Sequence, residues 1–333
     1  MDRAAAEARV GTTLCGKWTL ERLLGVGGMA AVYSSVHKIG RRDAIKILHP
    51  EVTKITDLRA RFEQEAQLAN RFRHPGAVEI RDIDVADDGC PFLVMELLEG
   101  ECVSEIAHRG PVPLDDVLRW TDELLDVLAA AHAQGIVHRD IKLDNLFVSA
   151  DGRLKVLDFG IARVRDGAVS SSRTALGATL GTAPYMPPEQ VQGREIDGRA
   201  DLFAVGATMF RLIARRRIHD ASNEAEMLAK MATQPAPPLA TVAPNAPQPV
   251  CLVVDRALRF RREDRFPDAA TMQADVRAVR AGQPPPHATA RLLAGDAPAA
   301  TTAIPASSLA PTPQLGAAAR AAAMATMQTS AAA

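Results

Sequence analysis

Two polar clusters in the middle of the chain hold the residues whose types and spacing best suit catalysis or cation binding. The first reads HRDIKLDN and begins at His138, and the second reads DFG and begins at Asp158. The intervening LFVSADGRLKVL has two apolar runs around an Asp-Gly turn, which predicts a β-hairpin. The open end of that hairpin would bring Asn145 and Asp158 together, with Asp140 on the same approach. Oxygen ligands beside a carboxylate suit Mg²⁺ and the phosphates it accompanies, so the pattern indicates phosphoryl transfer.

A glycine-rich segment near the N-terminus is a candidate for binding the phosphates. The residues from Leu24 to Tyr33 read LGVGGMAAVY, and glycines let backbone N–H groups approach phosphate oxygens closely. Downstream, Lys46 is embedded in the apolar strand pattern AIKIL and requires an anionic partner. Glu65 lies on the inward stripe of the next helical pattern, TDLRARFEQEAQLANRF. A pair between Lys46 and Glu65 would direct the lysine toward a nucleotide phosphate.

Taken in order, these motifs resemble those of the bacterial eukaryotic-like (Hanks-type) serine/threonine protein kinases. The matching motifs are the glycine-rich loop, Ala-Ile-Lys, a glutamate on a helix, His-Arg-Asp with its asparagine, Asp-Phe-Gly and Pro-Pro-Glu. The resemblance covers about residues 16–280. It implies an α+β, two-lobed protein kinase fold, with an antiparallel β-sheet plus one helix in residues 16–97 and mainly α-helices in residues 98–280.

The resemblance implies a role for each matched residue. Asp140 is expected to be the catalytic base, and Lys142 is expected to lie near the transferred phosphate. Lys46 and Glu65 are expected to orient ATP, and Met95 to guard the back of the adenine pocket. For the strand residues, packing in the core is the alternative interpretation. The residues expected to contact ATP are Leu24, Gly25, Val26, Gly27, Gly28, Met29, Ala30, Ala31, Val32, Ala44, Lys46, Glu96 and Leu98.

The resemblance also implies that Asn145 and Asp158 are metal ligands that bridge to the ATP phosphates. Their oxygen atoms suit Mg²⁺, with Mn²⁺ as the alternative cation. The plainer interpretation for an Asn or Asp beside a hairpin is turn chemistry. Oxygen ligands at both ends of one hairpin favour the metal site.

The segment from Asp158 to Glu189 is polar, contains glycine and is rich in hydroxyl side chains, as a switch loop is. Thr174 and Thr179 are the leading candidate phosphorylation sites, and a loop with incidental hydroxyls is the alternative. Arg139 favours the switch, because a phosphate would give this arginine a charge-assisted partner.

Further residues are expected to form the scaffold of the site. The resemblance implies that Thr182 contacts the substrate loop and Asp140, and that Glu189 pairs with Arg265. It also implies that Asp201, on its own helix, holds the backbone of the His-Arg-Asp motif.

The chain departs from the family pattern at Ala30, Leu143 and Pro187, where glycine, proline and alanine are usual. Alanine is small enough for the hairpin tip to close. Leucine loosens a rigid turn, while proline stiffens its segment and removes an N–H donor. None of these changes removes a catalytic group, so the sequence predicts an active enzyme.

The composition disfavours several other classes of protein. The formal net charge of −1 over 333 residues gives no reason to expect binding to nucleic acid or to an anionic membrane. No stretch approaches the roughly 20 apolar residues of a membrane helix, and the N-terminus lacks a secretory apolar core. The 4 cysteines are scattered without metal-ligand spacing, as reduced thiols are. We therefore expect a cytoplasmic protein that binds neither nucleic acid nor membrane.

The two ends of the chain are expected to lie outside the catalytic domain. Residues 1–15 are expected to be an N-terminal extension, and residues 281–333 a disordered tail. The tail is rich in Ala, Pro, Ser and Thr and has too few large apolar residues to offset its ordering entropy. It is expected either to be inert or to serve as a docking or autophosphorylated segment.

The expected function is transfer of the γ-phosphate of MgATP to Ser or Thr hydroxyls of proteins. Autophosphorylation of the chain's own loop is expected as well, in trans if the chain self-associates. A catalytically weak, nucleotide-binding signalling scaffold is one alternative, and the intact catalytic set argues against it. A small-molecule kinase on the same fold is the other, but such enzymes lack the substrate platform that this chain has from Gly181 to Glu189.

Overall fold

The computed structural model describes residues 3–53, 72–158 and 182–293 of the chain. A β-sheet comes first along the chain and a mainly helical region follows, which confirms the two-lobed α+β fold. Glu65, Thr174 and Thr179 lie outside the described residues, so their roles stay predictions. The single helix expected in the first lobe also lies there.

The first lobe is built on a sheet of antiparallel strands. They are β1 Thr13–Leu14, β2 Trp18–Val26, β3 Ala30–His37, β4 Arg42–Leu48, β5 Ile80–Val85 and β6 Pro91–Glu96. They form one 6-stranded sheet in the order β1-β2-β3-β4-β6-β5. Two short helices accompany it, α1 Arg3–Glu7 and α2 Pro50–Thr53. The glycine-rich segment thus forms the turn between β2 and β3.

The two faces of this sheet bury different side chains, because side chains alternate along a strand. Ile45 and Ile47 of β4 are buried on one face, where Trp18 and Tyr33 pack. We call this the outer face. Lys46 lies between the two isoleucines in sequence, so it belongs to the opposite, inner face. The buried apolar residues of the inner face are Ala30, Ala44, Leu48, Val52, Leu93 and Met95.

The N-terminal extension is part of the sheet. Ala6 of α1 is fully buried on the outer face, and the Tyr33 hydroxyl donates a 2.9 Å hydrogen bond to its carbonyl oxygen. Arg9 forms an ion pair with Asp88, and β1 pairs with β2. The described part of the extension thus packs on the first lobe, and the domain start at residue 16 stays a prediction. A strand of 2 residues and an alanine-rich helix leave no amphipathic pattern that a sequence could show.

The second lobe is mainly helical, as predicted. Its helices are α3 Val103–Arg109, α4 Leu114–Ala133, α5 Pro188–Val191, α6 Arg199–Ala214, α7 Glu224–Thr233, α8 Leu239–Val242, α9 Gln248–Ala257, α10 Ala269–Arg280 and α11 Pro286–Leu293. Short 3₁₀ turns lie at Leu143–Asn145, Ala183–Tyr185 and Arg262–Asp264. In the part of the chain that the structure describes, none of the helices is long and apolar enough to cross a membrane.

Two features of the second lobe position the site. A 3-stranded sheet of β7 Gly100–Cys102, β8 Leu146–Ser149 and β9 Leu154–Val156 carries the expected hairpin. Helix α6 is buried on every side from Ala200 to Phe210. A helix that is covered all round lies at the centre of a lobe, so a polar side chain on α6 needs hydrogen-bond partners inside the protein.

A buried ion pair joins Glu189 of α5 to Arg265, which follows the 3₁₀ turn Arg262–Asp264, as predicted. The Arg265 guanidinium is 2% exposed and binds both Glu189 carboxylate oxygens, at 2.6 and 2.8 Å. It also donates to the backbone carbonyls of Arg199, Arg259 and Phe260. Each of the five N–H donors of an arginine therefore has an acceptor, which is the condition under which a buried charge is tolerated.

Helix α11 lies inside the segment 281–333, so the prediction of disorder is wrong for the first part of that segment. The buried Asp275 carboxylate of α10 accepts hydrogen bonds from the N–H groups of His287 and Ala288, at 2.9 and 2.7 Å. The two N–H groups belong to the first turn of α11, where backbone N–H groups have no partner within the helix. Composition alone could not reveal a cap that comes from another helix. Residues 294–333 lie outside the described residues.

We expect Arg265→Met to lower the free energy of unfolding by about 3–5 kcal/mol, because it leaves the Glu189 carboxylate buried without its partner. Arg261→Met is the matched control, since the Arg261 side chain is 75% exposed; it should change stability by less than about 0.5 kcal/mol. Urea unfolding followed by circular dichroism measures both. Equal effects of the two variants would contradict the structural role of the pair.

Candidate active site

The open end of the β8–β9 hairpin brings the expected metal ligands together. Leu146 pairs with Val156, and the Leu157 N–H donates to the Asn145 carbonyl at 2.8 Å. Asn145 therefore ends one side of the hairpin, and Asp158 follows directly on the other. This geometry confirms the hairpin and the convergence of its ends.

Asp140 lies at the same open end, where two side chains fix its carboxylate. Lys142 Nζ and Asn145 Nδ2 each lie 3.0 Å from Asp140 Oδ2, and Asn145 Nδ2 also donates to the Asp140 carbonyl at 2.8 Å. Lys142 Nζ donates further to Thr182 Oγ1 at 2.9 Å, so Thr182 is linked to Asp140 through Lys142. Asp140 Oδ1 has no hydrogen-bond partner among the described residues, so it is the oxygen that could accept a proton.

The Asp201 carboxylate of α6 holds the backbone that leads to Asp140, as expected. Its Oδ2 accepts from the His138 N–H at 2.8 Å, and its Oδ1 accepts from the Arg139 N–H at 2.7 Å. His132 Nε2 lies 2.8 Å from Oδ2. Burial alone would raise the pKa of Asp201, but the hydrogen bond and charge of His132, the charge of His138 and the Arg139 N–H outweigh it, so the pKa lies below its usual value.

His132 is a part of the site that the sequence did not single out. It lies near the end of the amphipathic helix α4, where a histidine looks like an ordinary residue of the partly buried face. Its ring packs against Gly198, where an added Cβ would lie only 2.7 Å from Nδ1. The contact with Asp201 arises because α4 and α6 pack together, which no local pattern shows.

Arg139 has an unusual backbone and a partly buried guanidinium. Its φ of 65° lies in the left-handed region that residues other than glycine rarely adopt, and the Asp201 bonds to its own and the preceding N–H hold it there. Gln190 Nε2 donates to the Arg139 carbonyl at 3.3 Å. Burial lowers the pKa of the guanidinium, and the charge of Asp201 only partly opposes this. A partly desolvated cation favours an anionic partner.

Lys46 reaches across from the first lobe to the hairpin. Its Nζ lies 2.7 Å from Asp158 Oδ1. Burial by itself would raise the pKa of Asp158, but the charge and hydrogen bond of Lys46, followed by the charges of His138 and Lys142, hold it below its usual value. Asp158 is therefore a carboxylate at neutral pH. The expected pair with Glu65 involves a residue outside the described part of the chain.

The hairpin end has the donor chemistry that a divalent cation needs. Both amide hydrogens of Asn145 Nδ2 are directed at Asp140, so Asn145 Oδ1 points away from Asp140 and remains an acceptor. The ionised Asp158 supplies a second oxygen donor. Mg²⁺ binds through one or two such ligands together with substrate phosphates and water, so these residues fit the cation.

The inner face of the first sheet groups four of the strand residues expected to contact ATP, namely Ala30, Val32, Ala44 and Lys46. Val32 lies opposite Lys46 across β3 and β4, and Ala44 lies opposite Met95 across β4 and β6. Ala31 differs, because its side chain is fully buried on the outer face. A nucleotide contact from Ala31 would therefore have to come from its backbone, and it stays a prediction.

The glycine-rich turn is closed by the Gly27 N–H, which donates to the Ala30 carbonyl at 2.8 Å. Leu24, Gly25 and Val26 form the end of β2, and residues 27–29 form the turn. Ala30, which replaces the usual glycine, is buried on the inner face. The substitution therefore adds an apolar contact under the turn.

The connection between the lobes begins at Glu96, the last residue of β6. The Glu96 carboxylate pairs with Lys155 Nζ at 2.6 Å and accepts from the Glu79 N–H at 2.9 Å. The Glu96 side chain is therefore engaged, and its N–H donates to the Glu79 carbonyl at 3.0 Å. The adenine contact through the backbone of Glu96 and Leu98 stays a prediction. Lys155 of β9 also lies 3.5 Å from the Ala77 carbonyl. A lysine on a short strand gives no sequence signal for such a link between the lobes.

The other two departures from the family pattern are accommodated by packing. Leu143 is buried in the core of the second lobe, where it begins a 3₁₀ turn. Pro187 has φ −70°, the value that its ring imposes, and it precedes α5. Both replacements leave the groups around Asp140 unchanged.

Comparison with known proteins gives a family and several relatives. A family model for the protein kinase domain matches residues 18–273. The serine/threonine-protein kinase Pkn1 of Myxococcus xanthus is 40% identical over 264 residues, which are 78% of this chain and 38% of that protein. PknA of Mycobacterium tuberculosis is 33% identical over 288 residues, 84% of this chain and 65% of that protein. The M. xanthus kinase pkn2 is 35% identical over 273 residues, 80% and 32%. The chain thus spans between about a third and two thirds of these relatives.

We expect Gly198→Ala to lower the free energy of unfolding by about 1–3 kcal/mol, because the new methyl group collides with the His132 ring that binds Asp201. Gly110→Ala is the matched control: an added Cβ meets nothing within 4 Å there, and the backbone is extended. Urea unfolding measures both variants. A Gly198→Ala protein as stable as the control would show that His132 is not tightly held.

Proposed function

The chain belongs to the protein kinase domain family, and we propose that it transfers the γ-phosphate of ATP to serine or threonine hydroxyls of proteins. The observation that carries the proposal is the cluster at the open end of the hairpin. There one oxygen of Asp140, beside Lys142, has no partner among the described residues, and Asn145 and Asp158 offer oxygen ligands. The names of the relatives support the serine/threonine class.

The proposed chemistry uses Asp140 and Lys142 directly. Asp140 Oδ1 accepts the proton of the substrate hydroxyl as the hydroxyl oxygen attacks the γ-phosphorus. Lys142, held by Thr182 and Asp140, places a positive charge where charge develops on the transferred phosphate. Asp201 keeps the segment in position through the backbone of His138 and Arg139.

Nucleotide and cation binding complete the proposal. Asn145 and Asp158 would hold Mg²⁺, or Mn²⁺ in its place, and the cation neutralises charge on the ATP phosphates. Lys46 would bind a phosphate as well as Asp158, with Glu65 as its proposed second partner. The inner-face residues Val32 and Ala44, the glycine-rich turn and the backbone after β6 form the proposed ATP site.

The alternatives have less support. A nucleotide-binding scaffold without activity would not need a carboxylate with a free oxygen beside a lysine. A small-molecule kinase would not need the segment from Thr182 to Glu189. Thr182 in this segment accepts a hydrogen bond from Lys142, and Gln190, the residue that follows it, donates to the Arg139 carbonyl.

Partners and location remain proposals. Proteins with exposed Ser or Thr are the proposed substrates, and a second copy of this chain is one of them if autophosphorylation occurs in trans. The 4 free cysteines, Cys15, Cys90, Cys102 and Cys251, support a reducing compartment such as the cytoplasm.

We expect Asp140→Asn to reduce phosphate transfer by at least about a thousandfold, since an amide cannot accept the proton. The variant should unfold like wild type, because asparagine keeps an oxygen for Lys142. Asp151→Asn is the control, as that aspartate is 64% exposed in the hairpin turn and should leave transfer unchanged. Transfer of radiolabelled phosphate to a protein substrate is the measurement. Wild-type transfer by Asp140→Asn would overturn the assignment of Asp140 as the base. Full activity of the wild-type enzyme in excess EDTA would overturn the metal role of Asn145 and Asp158.

The proposed function includes a switch in the loop between Asp158 and Glu189. A phosphate on Thr174 or Thr179 would add about −1.5 to −2 charge and could pair with the partly desolvated Arg139. We expect Thr174→Ala with Thr179→Ala to lower activity toward other proteins while ATP binding persists. Thr301→Ala with Thr302→Ala is the control pair. Mass spectrometry of the ATP-treated enzyme locates the phosphates; phosphate only in the tail, with a fully active loop variant, would refute the switch.

A further inference from the structure

His49 follows the strand of Lys46 and lies under the glycine-rich turn. Its side chain is buried, at 2% exposure, whereas Gly27 and Gly28 above it are exposed. Its Nε2 lies 2.8 Å from the Gly27 carbonyl oxygen. A carbonyl oxygen can only accept a hydrogen bond, so Nε2 carries the proton in this contact.

A second bond ties the same residue to the same turn. The His49 N–H donates to the Met29 carbonyl at 2.9 Å. His49 therefore binds two peptide groups of the turn, one through its ring and one through its backbone. The turn itself contributes only one closing bond, from the Gly27 N–H to Ala30.

The ring contact fixes the direction of one N–H group. In a planar trans peptide the carbonyl of one residue and the N–H of the next point in opposite directions. Because the Gly27 carbonyl points down to the His49 ring, the Gly28 N–H points away from it, out of the turn. Gly28 is exposed, so this N–H is open to an approaching phosphate.

Packing alone does not account for the histidine. Its Nδ1 is buried and has no hydrogen-bond partner among the described residues. A buried polar atom without a partner is destabilising, and an apolar residue of similar size would avoid that cost. What the histidine ring provides, and an apolar side chain would not, is the hydrogen bond to the Gly27 carbonyl.

We propose that His49 is a positioning residue that orients the glycine-rich turn for the phosphates of a nucleotide, an inference that rests on the proposed function. It acts through Gly27 and Gly28 and does not touch the nucleotide. Its removal should therefore weaken binding of nucleotides in proportion to their phosphate contacts and leave adenosine binding unchanged.

The test compares His49→Leu with His49→Gln. Leucine keeps an apolar volume without a donor, while glutamine offers an N–H at a similar distance along the side chain. Ser35→Ala is the matched control, because Ser35 is fully buried at the other end of β3 and also donates one bond, to the Asp43 carbonyl. Calorimetric titration with ATP, ADP and adenosine needs no phosphate transfer, so a failed proposed function and a failed role for His49 are distinguishable.

We expect His49→Leu to weaken ATP and ADP binding by about tenfold, the effect of one lost hydrogen bond. Adenosine affinity should stay within about twofold, and His49→Gln should recover most of the ATP affinity. In transfer assays the KM for ATP should rise more than kcat falls. Unchanged ATP affinity in His49→Leu, or equal losses for ATP and adenosine, would overturn the proposal, and so would loss without rescue by glutamine. A loss of the same size in Ser35→Ala would do so too.

Discussion

The carboxylate of Asp201 is the interaction on which the site depends. It is fully buried on a helix covered on all sides, and its two oxygens accept from His132 and from the N–H groups of His138 and Arg139. Because these bonds fix the backbone of His138 and Arg139, they also fix the position of Asp140, the proposed base that follows. The left-handed conformation of Arg139 would otherwise be unfavourable. A buried charge without these partners would cost several kcal/mol, so the contact is either complete or the loop is displaced.

A second buried charge supports the same segment from the other side. Arg265 holds Glu189 on α5, and the next residue, Gln190, donates to the Arg139 carbonyl. Arg139 is thus held through its N–H by α6 and through its carbonyl by α5. Two ion pairs connect the first lobe to the β8–β9 hairpin: Lys46 with Asp158, and Glu96 with Lys155. The groups of the proposed catalytic site lie on short loops, and charged side chains on buried helices position them.

The sequence predicts the parts of this arrangement that are local or follow a family pattern. The sequence predicts the hairpin because two apolar runs surround an Asp-Gly turn. The resemblance implies the contact of Asp201 with the His-Arg-Asp backbone and the pair of Glu189 with Arg265. The sequence does not show the roles of His132, Lys155 and His49. His132 and Lys155 contact residues that are far away in the sequence and come close only when the elements pack, and His49 contacts a turn that returns to it. The cap that Asp275 of α10 gives to α11 is not visible for the same reason, and composition alone then predicts disorder where α11 forms.

The most direct measurement of this account is amide hydrogen exchange at His138 and Arg139 in wild type and in Asp201→Asn. Asparagine has one acceptor oxygen, so its amide group must face one of the N–H donors that Asp201 binds in wild type. We expect exchange at one or both amides to accelerate at least about a hundredfold, with kcat falling in parallel. The Leu157 amide, bonded to Asn145, should stay protected. Unchanged protection at both amides with an unchanged kcat would contradict the account.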